Sequence, residues 1–187
     1  MLLSLPEETA VLGEYQDPIT FIDNCLSHSM DWTRKTQLAR VSTDSCSDCK
    51  KELFRHQVQT SITFVDALEL WNPNSITDYE SMGQRCGPEC RRVLTVSEVI
   101  NWPQALVIAF HRACEIQISA YEILKKPGSP KFKLKAVLVY TSSPRHYYVL
   151  ALRGKCWFCL NDSKVTAVES TALQFCSAVL LVYERDT

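Results

Sequence analysis

The sequence predicts an α+β fold with a mainly antiparallel sheet. Three observations carry this reading. Helical periodicity is confined to the early part of the chain, where Ile19, Ile22, Leu26 and Met30, with Phe21 and Cys25, mark one apolar face. From Ala105 onward, short apolar and alternating runs follow one another as strands. Between them there is no alternation of strand and helix of the kind a parallel sheet needs.

Each element has a local reason. Residues 1 to 16 lack apolar periodicity and read as irregular. Asp17-Pro18 reads as an N-cap followed by proline at the first helical position. A polar stretch runs from Thr33 to Lys51, and Glu52 to Thr63 is β-like through Leu53, Phe54, Val58 and Ile62. Thr63-Phe64-Val65-Asp66 resembles a capping signal for a short helix reaching Trp71, which Asn72-Pro73-Asn74-Ser75 breaks. A mixed strand-like segment follows Cys90. Ala105 to Phe110 is a continuous apolar run expected to be a buried strand. Lys125 to Pro130 is a surface loop, Phe132 to Tyr140 a strand, and Ala178 to Tyr183 a last central strand.

At 187 residues, 46% hydrophobic and 22% charged, the chain has the profile of a globular protein with one substantial core. A formal net charge of -1 provides no basic excess to neutralise phosphates, which argues against nucleic acid as the main partner. No apolar run approaches the length of a membrane span. The start, Met1-Leu2-Leu3-Ser4-Leu5-Pro6-Glu7-Glu8, has no basic region and turns acidic at once, unlike a signal peptide. Nine cysteines without such a signal are expected as thiols or metal ligands in a cytoplasmic or nuclear setting.

Two cysteine pairs stand out, Cys46-x-x-Cys49 and Cys86-x-x-x-Cys90. Four thiolates brought together form the closed tetrahedral site that structural zinc prefers, with no position left for a reacting water. His56 is an alternative ligand. The bland alternative is four ordinary thiols in loops. Cys25, Cys114, Cys156, Cys159 and Cys176 lie in apolar surroundings and read as small core residues.

The stretch from His146 to Asn161 reads as a β-hairpin about an Arg-Gly turn. With Arg153 and Gly154 as the two loop residues, Leu152 faces Lys155 and His146 comes directly opposite Asn161. Cross-strand partners share one face with Cβ atoms about 5 Å apart. A histidine oriented by an amide oxygen is two-thirds of a Cys-His-Asn triad. The bland readings are a hairpin histidine bonded to backbone and a polar Asn161-Asp162 pair ending a strand.

From about Tyr15 to Arg185 the chain resembles the ubiquitin-specific proteases, the papain-like deubiquitinases. Gln16-Asp17 with Phe21-Ile22 is similar to that family's Q-D-A-x-E-F-L helix, and the two cysteine pairs stand where its zinc-bearing fingers have theirs. Pro103-Gln104-Ala105-Leu106-Val107-Ile108 with Arg112 is similar to P-x-x-L-x-I-x-x-x-R, and Phe132-x-Leu134-x-Ala136-Val137 to Y-x-L-x-A-V-V. His146-Tyr147 matches G-H-Y, Trp157 through Asn161-Asp162 and Val165 match W-x-x-F-[DN]-D-x-x-V, and Leu180-Leu181-Val182-Tyr183-Glu184-Arg185 resembles the terminal L-L-x-Y-x-R. The resemblance implies a partial papain-like fold of the ubiquitin-specific protease type. Its expected parts are a helical thumb remnant (about 1–32), fingers with zinc knuckles (about 33–102) and a β-rich palm (about 103–187).

The departures are as specific. The family's nucleophile lies in a G-N-x-C box upstream of the Q-D-A helix, and this chain contains no Gly-Asn-x-Cys. Arg145 replaces the glycine before the histidine, charging a loop that normally guides a Gly-Gly tail, and Leu160 and Ala113 replace aromatic residues. The resemblance implies that His146 accepts a thiol proton, Asn161 holds its tautomer, and Asp162 steadies the loop or polarises the oxyanion side. Cys25, inside a predicted helix on its apolar face, is not placed to be the nucleophile. Two expectations follow: a thiol-dependent deubiquitinase whose nucleophile belongs to a missing amino-terminal part, or a non-catalytic relative that binds ubiquitin, or a ubiquitin-like protein, or scaffolds a complex.

Overall fold

The computed structural model describes residues 17–66, 75–80, 90, 92–116, 123–124, 128–143, 145–173 and 176–186. Two helices come first. Helix α1 (Pro18–His28) opens on Asp17, whose carboxylate accepts from the Ile19 and Thr20 amides at 3.3 and 3.2 Å, with proline at the start as expected. Ser29 breaks it, and α2 (Met30–Thr36) follows at an angle pinned by Thr33, whose hydroxyl donates to the Leu26 carbonyl at 2.7 Å. The apolar face is therefore narrower than the periodicity predicts. Ile19, Ile22 and Leu26 pack on the sheet, whereas Met30 begins the second helix and is 77% exposed.

Four antiparallel strands form one sheet in the order β2-β1-β5-β4: β1 (Leu38–Cys46), β2 (Glu52–Thr60), β4 (Ser75–Glu80) and β5 (Arg92–Asn101). Much of the polar stretch from Thr33 to Lys51 is thus the strand β1. Its hydroxyl-rich sequence hides it, because its middle residues are only half-buried. Polar pairs hold its flanks: Ser42 Oγ lies 2.8 Å from Ser97 Oγ, and Thr95 donates to Asp44 at 2.6 Å.

The second sheet runs β11-β10-β9-β8-β12-β6-β3, with β7 (Ile123–Leu124) paired to the start of β8. Its members are β3 (Ile62–Val65), β6 (Ala105–Ile116), β8 (Phe132–Ser142), β9 (Arg145–Arg153), β10 (Cys156–Asn161), β11 (Lys164–Val168) and β12 (Cys176–Arg185). Every pairing is antiparallel except β3 with β6. Ile62 and Thr63 are in a strand as expected, and Phe64 and Val65 continue it where Thr63-Phe64-Val65-Asp66 suggested a capping signal for a helix; β-branched residues beside an apolar partner favour the pleated surface. The remainder of that expected helix, through Trp71, lies outside the described residues.

The middles of strands β6, β8 and β12 are covered on both faces, which explains the apolar runs there, whereas the start of β8 alternates because Lys133 is exposed. On one face Leu106, Ile108, Phe132, Leu134, Leu181 and Tyr183 form the main core, each 2% exposed or less. The other face, with Val107, Ala109, Leu138 and Leu180, is roofed by α1. At about 1.5–3 kcal/mol for each fully buried large apolar side chain, this two-sided core holds β8 and β12 as the rigid centre, and β9 and then β10 are hung on β8.

Candidate functional site

The hairpin that carries the candidate residues forms, but its register differs from the expected one. Arg153 pairs with Cys156, so Gly154 and Lys155 are the loop residues and not Arg153 and Gly154. The physical reason is Gly154, whose φ of 61° occupies the first central position of a two-residue loop, where a positive φ matches the twist of the strands. A Cβ there would touch nothing within 4 Å, so conformation rather than space selects glycine.

Continuing this register places Asn161 across from Tyr148, and His146 becomes its diagonal neighbour on the same face. Diagonal partners are within reach of long side chains. The meeting survives the shift because two residues along a strand restores the same face. His146 Nε2 lies 2.6 Å from Asn161 Oδ1. A carboxamide oxygen only accepts, so Nε2 carries the proton and Nδ1 keeps a lone pair. The His146 backbone is held in turn by Thr141, its partner across β8, whose hydroxyl donates to the His146 carbonyl at 3.3 Å. Nothing in the sequence singled out Thr141; only the β8–β9 pairing identifies it.

Asn161 ends β10 because Asp162 turns the chain. Asp162 has a φ of 51°, a left-handed conformation that Asp tolerates better than most residues. Its carboxylate comes within 3.9 Å of His146 Nε2 but is 81% exposed, so water screens the pair heavily. Below the dyad, burial pushes the Tyr148 phenol up, and the nearby Cys176 and Cys159 thiols add to this. Burial likewise pushes the Cys176 thiol up, which leaves it neutral and a poor nucleophile. Among the described residues no cysteine hydrogen-bonds to His146. Helix α1, with Cys25, packs on the Tyr147 and Val149 side of β9, the face opposite to Tyr148 and His146.

A second cluster lies at the far end of the four-stranded sheet. Cys46 closes β1, and Cys46-Ser47-Asp48-Cys49-Lys50 turns the chain into β2, with the Lys50 amide donating to the Cys46 carbonyl at 2.8 Å. Cys90 arrives just ahead of β5, which pairs with β1 through Cys46 and Val93. The Sγ atoms of Cys46, Cys49 and Cys90 lie within 4.8 Å of one another, and these three residues are placed to hold a metal ion. Sulfur ligands about 2.3 Å from a tetrahedral metal sit at similar mutual spacing, so the donor set fits zinc chemistry. Cys86 lies outside the described residues. His56 is not in the cluster; it faces Ser42 at the midpoint of β1 and stacks on Phe54.

Lys50 shows what this turn requires. Its φ of 61° is left-handed, where a side chain is strained by about 1–2 kcal/mol relative to glycine.

No protein-family model matches the chain, and no curated protein matches it in sequence. Solved structures do match. A chain of the SAGA DUB module of Ubp8, Sgf11, Sus1 and Sgf73 bound to monoubiquitin aligns with a TM-score of 0.69 at 15% identity, over 92% of this chain and 49% of that one. A chain of the yeast SAGA DUB module aligns with a TM-score of 0.67 at 16% identity, over 82% and 42%. The module bound to ubiquitin aldehyde gives 0.64 at 14% identity, over 82% and 42%. The fold is thus shared with these chains, and this chain spans less than half of their length. Among the described residues no helix is long and apolar enough to cross a membrane.

Proposed function

We propose that this chain is the finger-and-palm portion of a ubiquitin-specific protease-like domain, and that it faces ubiquitin. The observation that carries the proposal is the 2.6 Å bond from His146 to Asn161, set in a fold shared with chains of a ubiquitin-bound DUB module. In this reading His146 Nδ1 takes the proton of a cysteine thiol that comes from outside the described residues. The thiolate attacks the carbonyl of ubiquitin's terminal glycine, and the imidazolium returns the proton to the departing amine. Asn161 holds the ring orientation, and Asp162 steadies the loop or polarises the oxyanion side. Residues 33–102 serve as fingers and 103–187 as palm, with a helical remnant before them. Cys46, Cys49 and Cys90, with Cys86 as fourth ligand, hold a structural zinc that ties the turn to the start of β5. A cytoplasmic or nuclear setting fits thiols of this kind.

Titration of ¹⁵N-labelled chain with monoubiquitin tests the reading. Saturable shifts at both sheets are expected; none at high micromolar ubiquitin overturns it. A second reading is a non-catalytic ubiquitin-binding relative, favoured by the lack of a hydrogen-bonded cysteine at His146 among the described residues. An activity-based ubiquitin probe separates the two when applied to the longest natural product of the gene: covalent labelling selects the protease, binding without labelling the relative.

A further inference from the structure

The chain leaves the four-stranded sheet at Thr60 and enters the larger sheet at Ile62, so Ser61 alone makes the corner. A cavity of about 280 Å³ opens in this corner. The β1–β2 and β1–β5 registers, Arg40 with Val58 and Ser42 with Ser97, bring Arg40, Ser42 and Ser97 to its wall from one face. We propose that this corner is a binding pocket for a carboxylate, the acidic side chain of a protein partner laid across both sheets, with the Arg40 guanidinium as its receptor.

Arg40 is the only charged residue among those lining the cavity. It is half-buried, its Nε is sealed from solvent, and it has no hydrogen-bond acceptor or ion-pair partner among the described residues. Burial pushes the guanidinium pKa down, which registers the same cost of holding a charge away from water. A half-buried guanidinium with its donors unspent is stabilised when an anion completes it. The hydroxyls point the same way. Of Ser42 and Ser97, 2.8 Å apart, one donates to the other, and the acceptor's own proton is left to give. Thr60 and Thr63 also line the cavity. A set of donors with one positive charge suits a monoanion, and a phosphoryl dianion would leave a negative charge uncompensated.

The surroundings identify a protein as the carrier. Val58 and Phe64 border the cavity at 42% and 50% exposure, and Phe54 continues the apolar surface along β2 at 51%. Exposed aromatic and aliphatic side chains around a half-buried arginine are the composition of an interface centre. The cavity is independent of the His146–Asn161 dyad, and its failure and that of the dyad reading show up separately.

The test follows the Arg40 Nε–H and the Ile62–Phe64 amides by NMR while blocked glutamate is added, with blocked glutamine and inorganic phosphate as parallel arms at matched ionic strength. Saturable shifts with glutamate, none with glutamine and weaker ones with phosphate are expected. In Arg40→Met the glutamate-induced amide shifts vanish while the melting temperature stays or rises, because an unpaired half-buried charge has been removed. Shifts with phosphate alone, no shift in the tens-of-millimolar range, or a sharp fall in melting temperature for Arg40→Met overturns the proposal, the last by making Arg40 a structural residue. Monoubiquitin titrated in a separate sample reports on the dyad reading alone.

Discussion

His146 and Asn161 are joined through Nε2 and Oδ1 at 2.6 Å although they are not directly opposed in the hairpin. The bond sets which ring nitrogen carries the proton, and this has a spectroscopic consequence. In the native chain ¹⁵N shifts of His146 report the Nε2–H tautomer. In Asn161→Ala the two tautomers mix, while stability falls by only about 0.5–1.5 kcal/mol, as for one partly exposed hydrogen bond. An unchanged tautomer in the variant refutes the role assigned to Asn161.

Metal removal is expected to act on stability. Cys46→Ser lowers the unfolding free energy by several kcal/mol, since binding energy at such a site is folding energy. Elemental analysis of the native chain and chelator-dependent melting check this. A metal-free native protein with the same melting temperature refutes it.

Lys50→Gly is expected to stabilise the knuckle turn by about 1 kcal/mol, because the left-handed φ of 61° costs glycine nothing. Lys50→Val destabilises it instead. Urea denaturation of both variants, read at constant m-value, tests the pair.

Alkaline pH acts through Cys176, 5% exposed, whose thiol is pushed up from its ordinary value of 9.0 by burial. The folded state therefore keeps the proton longer than the unfolded chain. Its stabilising contribution is complete below the unfolded pKa and is lost as pH climbs past it toward the folded one. Denaturation between pH 8 and 11 is expected to show a steeper fall for the native chain than for Cys176→Ala. Parallel curves for the two proteins contradict this.

Leu181→Ala empties the middle of β12, where Leu181 is 0% exposed between Ile108 on β6 and Val137 on β8. A loss of about 2–5 kcal/mol is expected from equilibrium unfolding. A loss under about 1 kcal/mol identifies a core that collapses around the gap.

The apolar runs at Ala105 to Phe110 and Ala178 to Tyr183 are legible as strands because both sheet faces are covered there, and Phe132 to Tyr140 because it alternates at its exposed start before turning apolar. The Asp17-Pro18 helix start was equally plain, since capping is chemistry within a few residues. Strands β1 and β4 were not legible: a narrow polar sheet is held by hydrogen bonds between distant segments, and those leave no periodic apolar signature. The spacing of Cys46-x-x-Cys49 and Cys86-x-x-x-Cys90 suggested one metal site, and the β1–β5 pairing is what brings Cys90 beside Cys46 and Cys49. The sequence by itself determined which residue types carry chemistry here. The tertiary structure alone decided the hairpin register through one glycine's φ, joined His146 to Asn161 across a diagonal, and left Arg40 half-buried at a corner between sheets, because each depends on backbone geometry summed over residues far apart in the chain.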